Sequence, residues 1–245
     1  MKQCVGTVTG NRALTDSVLE MRLRCDTEGI RGPGQFVDIA VPGRYLRRPI
    51  SVCDWDAEGI TLIYKVIGGG TERMAAARAG DRFDLLTGLG NGFSAEKAGP
   101  RPLLIGGGVG IPPLYGLAKR LIRIGAEVTA VLGFNTASEI FYEDAFLDLG
   151  VRVILATANG SRGVKGFVTD ALPDAPHSFF YACGPVPMLR AICGKVPGQG
   201  EISLEARMGC GFGACMGCSV RTKNGSRRIC REGPVFDREE LLWED

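Results

Sequence analysis

A change of period near Gly99–Pro102 constrains this chain more than any other feature. Before it, short apolar runs follow one another with only Gly- and Pro-containing turns between them. "VLEMRLRC" (18–25) alternates as a half-buried strand does, and "FVDIAV" (36–41), "RRPISVCDW" (47–55), "ITLIYKVI" (60–67) and "DRFDLLTGLG" (81–90) follow. Close strands separated by turn signals predict a small antiparallel barrel, with a short helix over "TERMAAARAG" (71–80) capping one end. After the change, strands alternate with helices. "RPLLIGGGVGIPPLYGLAKRLIRIG" (101–125) reads as strand, glycine turn and helix, with Pro112 and Pro113 at the helix start, where proline is tolerated. "AEVTAVLGF", "VRVILATA" and "HSFFYACGP" are further strands, and "EDAFLDLG", "VTDALP" and "PMLRAICGKV" are helical. That alternation implies parallel βαβ units. The expected fold is therefore α/β plus β: an antiparallel barrel over 1–99, a parallel α/β domain over 100–200, and a small third domain over 201–245.

Composition narrows the class. With 245 residues and 45% hydrophobic content the chain can bury a core, and 23% charged residues is not a disordered composition. The formal net charge of +2 gives no reason to expect a nucleic-acid partner. No window approaches 18 consecutive apolar residues, so no membrane span is expected. "MKQCVGTVTGNRALTDS" lacks an apolar leader, so a cytoplasmic protein is expected. Nine cysteines, an odd number without an export signal, point to metal ligation or buried thiols rather than disulfides.

Four of those cysteines are concentrated in the last domain. Cys210, Cys215, Cys218 and Cys230 have the spacing C-x4-C-x2-C-x11-C, the first three within "GCGFGACMGC". This is the plant-type ferredoxin spacing for a 2Fe–2S cluster. Two irons bridged by sulfide need four thiolates, and Gly209, Gly211, Gly213 and Gly217 let a loop wrap them closely. A structural Cys4 zinc site is the alternative, though such sites usually show two short paired knuckles. Cys4, Cys25, Cys53 and Cys193 read as inert thiols.

Two segments of the barrel suit an anionic dinucleotide. In "RRPIS" (47–51) a guanidinium can clamp a pyrophosphate and a hydroxyl can reach a flavin or ribityl oxygen. "IYKVIGGGT" (63–71) runs a strand into glycines whose amides form a phosphate nest ahead of a helix. Together, beside a redox cluster, they suggest FAD. "LLIGGGVGIPPL" (103–114) brings a ligand to a helix N-terminus, although it is not G-x-G-x-x-G and tight packing alone would also explain it. "YACGPVPML" (181–189) ends another strand at the same sheet edge, where ligands of open α/β sheets bind. The segment "GFNTASEIFYED" (133–144) carries Glu139, Glu143 and Asp144 and no Arg or Lys, which favours NADH over NADPH.

Other features stay open. Glu205, just before the cysteine loop, is either an ordinary carboxylate or a contact to flavin or loop. Arg221, Lys223, Arg227, Arg228 and Arg231 form either a solvated rim or the border of a docking face. His177, the only histidine, sits in a turn and reads as a surface residue, so histidine-based catalysis is excluded. The tail "DREELLWED" is a helical turn or two, or a solvated end.

Taken together, "RRPIS", "YKVIGGGT", "GGGVGIPPL", "CGP" and "CGFGACMGC…C" resemble the ferredoxin–NADP reductase superfamily. More narrowly, they resemble its electron-transfer subunits of the dihydroorotate dehydrogenase B type, over nearly the whole chain. The resemblance implies that Arg48, Pro49, Ile50 and Ser51 hold FAD, with Ile50 where many relatives stack a Tyr on the flavin. Ile63, Tyr64, Lys65, Gly70 and Thr71 would complete that site. Gly106, Gly107, Gly108 and Gly110 with Cys183, Gly184 and Pro185 would line the nicotinamide cleft. Cys210, Cys215, Cys218 and Cys230 would hold the cluster. The implied function is electron transfer in pyrimidine biosynthesis, from an FMN-containing dihydroorotate dehydrogenase catalytic subunit through cluster and FAD to NAD. The implied assembly is a heterotetramer with two copies of each subunit.

Overall fold

The computed structural model describes residues 1–243. Six antiparallel strands close a barrel: β1 (Lys2–Ala13), β2 (Val18–Arg24), β3 (Phe36–Ala40), β4 (Arg48–Trp55), β5 (Gly59–Lys65) and β6 (Arg82–Leu89), in the order β1-β2-β5-β4-β3-β6. Helix α1 (Gly69–Ala75) plugs one end. Met74 lies fully buried in the barrel core, and Asn11 Nδ2 donates to the carbonyls of Met74, Ala75 and Ala77 at 3.0–3.2 Å. β1 is absent from the sequence reading. Its inward residues are Gly6 and Val8, too small a set to show alternation, and only pairing with β2 and β6 on both sides makes it a strand.

The second layer is a seven-stranded sheet. β7 (Leu103–Gly107) leads into α2 (Ile111–Arg123), then come β8 (Thr129–Phe134), α3 (Glu143–Asp148), β9 (Arg152–Thr157), the short β10 (Val164–Lys165), β11 (Phe180–Cys183), α4 (Val186–Lys195) and β12 (Gly200–Ser203). The sheet order is β10-β9-β8-β7-β11-β12, all parallel, and β15 (Val235–Asp237) adds antiparallel at the edge. Strand order runs outward from β7 in one direction through β8 and β9, and in the other through β11 and β12. The reversal places a crevice at the carboxyl ends of β7 and β11. α2 buries Ile111, Leu114, Leu117, Ala118 and Leu121, a helical stripe that packs between sheet and barrel with Val18, Cys53 and Ile63.

The segment from 204 onward is bound to both neighbours. It carries a hairpin of β13 (Ser219–Thr222) and β14 (Gly225–Arg228) and returns through β15. Asn91, just beyond β6, accepts from Val235 N and donates to Val235 O at 3.0 and 2.7 Å. β12 spans the position where the sequence pattern separates the second domain from the third. Its Glu201 is buried, accepting from Ser94 N at 2.8 Å and pairing with Lys97 at 3.0 Å. The tail makes a 3₁₀ turn over Arg238–Glu240, and Leu241 is buried in a bridge to Thr222, so this part is not a solvated end. Glu244 and Asp245, the rest of that tail, lie outside the described residues.

Candidate functional site

β5 shows how a strand divides its duties. Leu62 and Tyr64 point into the barrel core, Ile63 points to the inter-layer core, and Lys65 emerges at the cleft. Tyr64 is 2% exposed and its hydroxyl donates to Asn11 Oδ1 at 3.1 Å, so only its backbone is free to meet a cofactor. On β4, Arg48 and Ile50 share a face, with Ile50 half-buried against the barrel core and Ser51 half-buried beside it. Arg48 Nη1 donates to Leu46 O at 2.6 Å, which aims its guanidinium at the start of α1. A Cβ on Gly70 would collide with the Arg48 guanidinium, and one on Gly69 with that of Arg44. Two guanidiniums thus rest on bare backbone beside the amides that open α1. That is the cation-and-amide surface a pyrophosphate requires, and these residues fit FAD.

The nest differs in one detail from the sequence expectation. Ile67 N and Gly68 N donate to Thr71 Oγ1 at 2.9 and 3.3 Å, so Thr71 shapes the loop rather than leaving those amides open. Arg44 was not singled out in the sequence, because nothing local marks it. Only folding brings the 41–47 loop against α1.

At the switch point lies a cavity of about 550 Å³. Its walls include Gly107, Gly108 and Gly110 on one side, Pro185 and Met188 on another, and Ser17, Val18 and Lys65 from the barrel. Gly106 is buried beneath Ile111 and Leu114, so it supports the turn instead of lining it. Gly110 is pressed against the carbonyl of Cys183 and the Cα of Gly184, an approach that admits no side chain. A Cβ on Gly108 would meet nothing within 4 Å, so that residue faces open cleft. Cys183 and Gly184 are buried behind the Gly110 turn, and of the Cys183–Pro185 turn only Pro185 lines the cavity, contrary to the sequence expectation. Burial, with the nearby Glu205 carboxylate, pushes the Cys183 thiol up to about 12, so it stays protonated and non-nucleophilic. Glu205 also lines the cavity, reachable from the cleft yet walled by protein, and that burial raises its carboxyl above the usual range.

At the far end of the cavity Asn135 Nδ2 donates to Glu139 Oε2 at 2.8 Å, placing this carboxylate in the wall. Glu143 pairs with Arg162 at 2.8 Å. The segment 133–144 has no cation of its own, but the 158–163 loop brings one beside it, already committed to Glu143.

The four thiols come as two pairs. Cys215 binds Cys210 through its backbone N–H, and Cys230 binds Cys218 in the same way. Among the described residues no three Cys, His, Asp or Glu side chains converge on one point. Two pairs match two irons with two thiolates each. Ala214 N and Cys215 N donate to Cys210 Sγ at 3.2 and 3.5 Å, and Cys230 N donates to Cys218 Sγ at 3.4 Å. Burial pushes the Cys210 thiol up, but these amides and that of Phe212 outweigh it and hold it at about 6. Cys230 is pushed up to about 12 by burial and by Cys218. Gly209 and Gly217 both lie against Cys215 Sγ, where a Cβ would sit 3.2 and 3.5 Å away. The donor set fits a 2Fe–2S cluster.

The basic group around the fourth cysteine is not uniform. Arg228 makes a bidentate pair with Glu232 and donates to Gly213 O at 2.5 Å, pinning the cysteine loop. His177 is half-buried and its Nε2 lies 3.0 Å from Pro197 O, a structural contact.

Residues 205–242 match the model of the iron–sulfur cluster binding domain of dihydroorotate dehydrogenase B, and residues 104–194 match the oxidoreductase NAD-binding domain. The dihydroorotate dehydrogenase B (NAD(+)) electron transfer subunit of Geobacillus sp. (strain WCH70) is 43% identical, with 99% of each chain covered. That of Shouchella clausii (strain KSM-K16) is 46% identical, with 86% of each covered. Among solved structures, an NADH-dependent reduced ferredoxin–NADP oxidoreductase superposes with a TM-score of 0.88 at 29% identity, covering 97% of this chain and 90% of that one. The ferredoxin reductase of carbazole 1,9a-dioxygenase, at TM-score 0.66 and 21% identity over 80% of this chain and 67% of its own, shares the fold. With the barrel, the switch-point cleft and the paired thiols in place, this extent of identity makes the chain a member of the dihydroorotate dehydrogenase B (NAD(+)) electron transfer subunit family.

Proposed function

We propose that this chain carries electrons between an FMN-containing dihydroorotate dehydrogenase catalytic subunit and NAD, as one half of a heterotetramer with two copies of each subunit. In this reading residues 1–99 hold FAD, 100–200 hold the nicotinamide nucleotide and 201–245 hold the cluster. When bound, FAD exchanges a hydride with nicotinamide and single electrons with the 2Fe–2S cluster, joining two-electron to one-electron chemistry.

One observation carries the reading: the segments assigned here to the three sites adjoin. Pro49 of "RRPIS" pairs with Asp38 on β3, and Asp38 packs against Gly211, next to Cys210. On the other side, Lys65 of the flavin segment and the glycine turn line the same cavity. The protein's residues position and insulate. Arg48 and Arg44 clamp pyrophosphate, with Pro49, Ile50, Ser51, Ile63, the Tyr64 backbone, Lys65, Gly70 and Thr71 framing the flavin. Gly107, Gly108, Gly110 and Pro185 admit the nicotinamide ring, and buried Gly106, Cys183 and Gly184 set the turns behind them. Cys210, Cys215, Cys218 and Cys230 hold the irons. A cytoplasmic setting agrees with nine free cysteines; among the described residues no helix is long and apolar enough to cross a membrane.

The test mixes the anaerobically purified, cofactor-replete protein with the FMN-type subunit from the same source, dihydroorotate and NAD. NADH formation that needs both proteins is expected. Absence of NADH and orotate, while NADH still bleaches the flavin, would assign the chain to a different partner.

A further inference from the structure

Among the described residues, the buried side-chain oxygen without a hydrogen-bond partner is Asp38 Oδ1. Asp38 is 1% exposed and sits on β3 directly opposite Pro49. Its other oxygen packs on Gly211, where a Cβ would overlap it. The cations facing it are Arg47 and Arg48, and both place their donors elsewhere. Arg47 donates to the backbone carbonyls of Asp38 and Asp84 at 3.3 and 3.1 Å and pairs with the Asp84 carboxylate. Arg48 donates to the carbonyls of Leu46 and Arg47. Burial pushes the Asp38 carboxyl up to about 6 against the opposing pull of Arg47 and Arg48, so it is ionised in mildly alkaline solution. A buried carboxylate left this way costs stability. Beside a redox centre such a charge has a physical use.

We propose that Asp38 is a tuning residue for the cluster: its carboxylate, seated between the flavin strand and the cysteine loop, makes the cluster harder to reduce. The inference rests on the reading of the four thiols as cluster ligands. An electron added beside a fixed anion in a poorly solvated site is repelled by it. The amides on Cys210 Sγ act in the opposite sense, stabilising the added charge. Asp38 offsets them, so the electron remains energetic enough to move on to the flavin and then to nicotinamide. No bond forms or breaks; the residue shifts only the balance between oxidised and reduced cluster.

The experiment is a redox titration at pH 8, where the Asp38 carboxyl is ionised, of the cofactor-replete full-length protein, following the cluster's reduced-state EPR signal, for wild type, Asp38→Asn and Asp38→Ala. Both neutral variants are expected to favour the reduced cluster by roughly tenfold, a midpoint about 60 mV higher at 59 mV per decade for one electron. An unchanged or lowered midpoint in both overturns the proposal. Loss of the cluster from both also overturns it, since the carboxylate would then hold the loop rather than tune it. A wild type with no reduced-cluster signal refutes the cluster reading itself, and the proposal with it.

Discussion

At the nucleotide cleft, the backbone meant for a ligand is held by buried parallel strands. Gly106, Gly107 and Gly110 are buried, and β7 and β11 are paired residue by residue from Leu103–Phe180 to Gly106–Cys183. At the cysteine loop, Phe212, Ala214, Cys215, Met216 and Gly217 are exposed, and Met216 adopts a left-handed φ of 61° without being glycine. That loop is held by amide-to-sulfur bonds, by Arg228 on Gly213, and by the two thiol pairs. The cleft is formed by the fold before any ligand arrives. The loop has too little buried apolar surface for that, and under the proposed reading metal ligation by its thiols would hold it instead. Transient nucleotide binding suits the first arrangement, and a resident cluster suits the second.

The contrast can be broken most directly at a thiol. Cys218→Ser should abolish the cluster, measured as iron content and EPR signal, and should raise hydrogen exchange across 209–232 while the 103–134 segment keeps its protection. Spread of the exchange into β7 and β8 would show that the loop supports the cleft. Next in size, Gly110→Ala drives a methyl into the Cys183 carbonyl. A backbone clash of this kind costs about 1–3 kcal/mol, so NADH affinity should fall roughly tenfold or more, with iron content unaltered. Equal NADH affinity would mean the turn is slack.

Arg44→Ala sharpens the barrel side of the comparison. Loss of a charge-assisted contact worth about 1.5–3 kcal/mol should weaken FAD binding by roughly ten- to a hundredfold, read by flavin release on dilution. Retention equal to wild type would remove Arg44 from the site. The smallest effect concerns the inter-layer latch. Glu20 on β2 accepts from Tyr142 Oη at 2.9 Å and pairs with Arg12 at 3.0 Å. Burial alone would raise its carboxyl, but Arg12 and Tyr142 bring it below the ordinary 4.5. A depressed carboxylate contributes stability that is present above that ordinary value and is lost as pH falls through the folded value. Glu20→Gln should therefore lower the thermal midpoint at pH 7 by the equivalent of about 1 kcal/mol or less, since Arg12 is largely exposed. The difference from wild type should shrink as pH falls below 4.5 and vanish below the lowered folded value. A gap that persists there would point to packing rather than charge.

Much of this architecture is readable along the chain because its signals are local. The shift from turn-linked strands to alternating strand and helix separates barrel from sheet, and the prolines of α2 mark its start. The spacing of the four cysteines points to a 2Fe–2S cluster, which needs four thiolates in a loop that glycines let close tightly. What the chain could not show is whatever depends on residues far apart. β1 is a strand because two partners flank it. β12 is buried although "GEIS" is half polar, because Ser94 and Lys97 satisfy Glu201. Tyr64 turns inward to Asn11, Arg44 reaches α1, Arg162 meets Glu143, and Asp38 stands between flavin strand and cluster loop. Local pattern records propensity and ligand chemistry. The partner of a charged or hydroxyl group is decided by which distant element packs against it, and only the tertiary structure makes that choice.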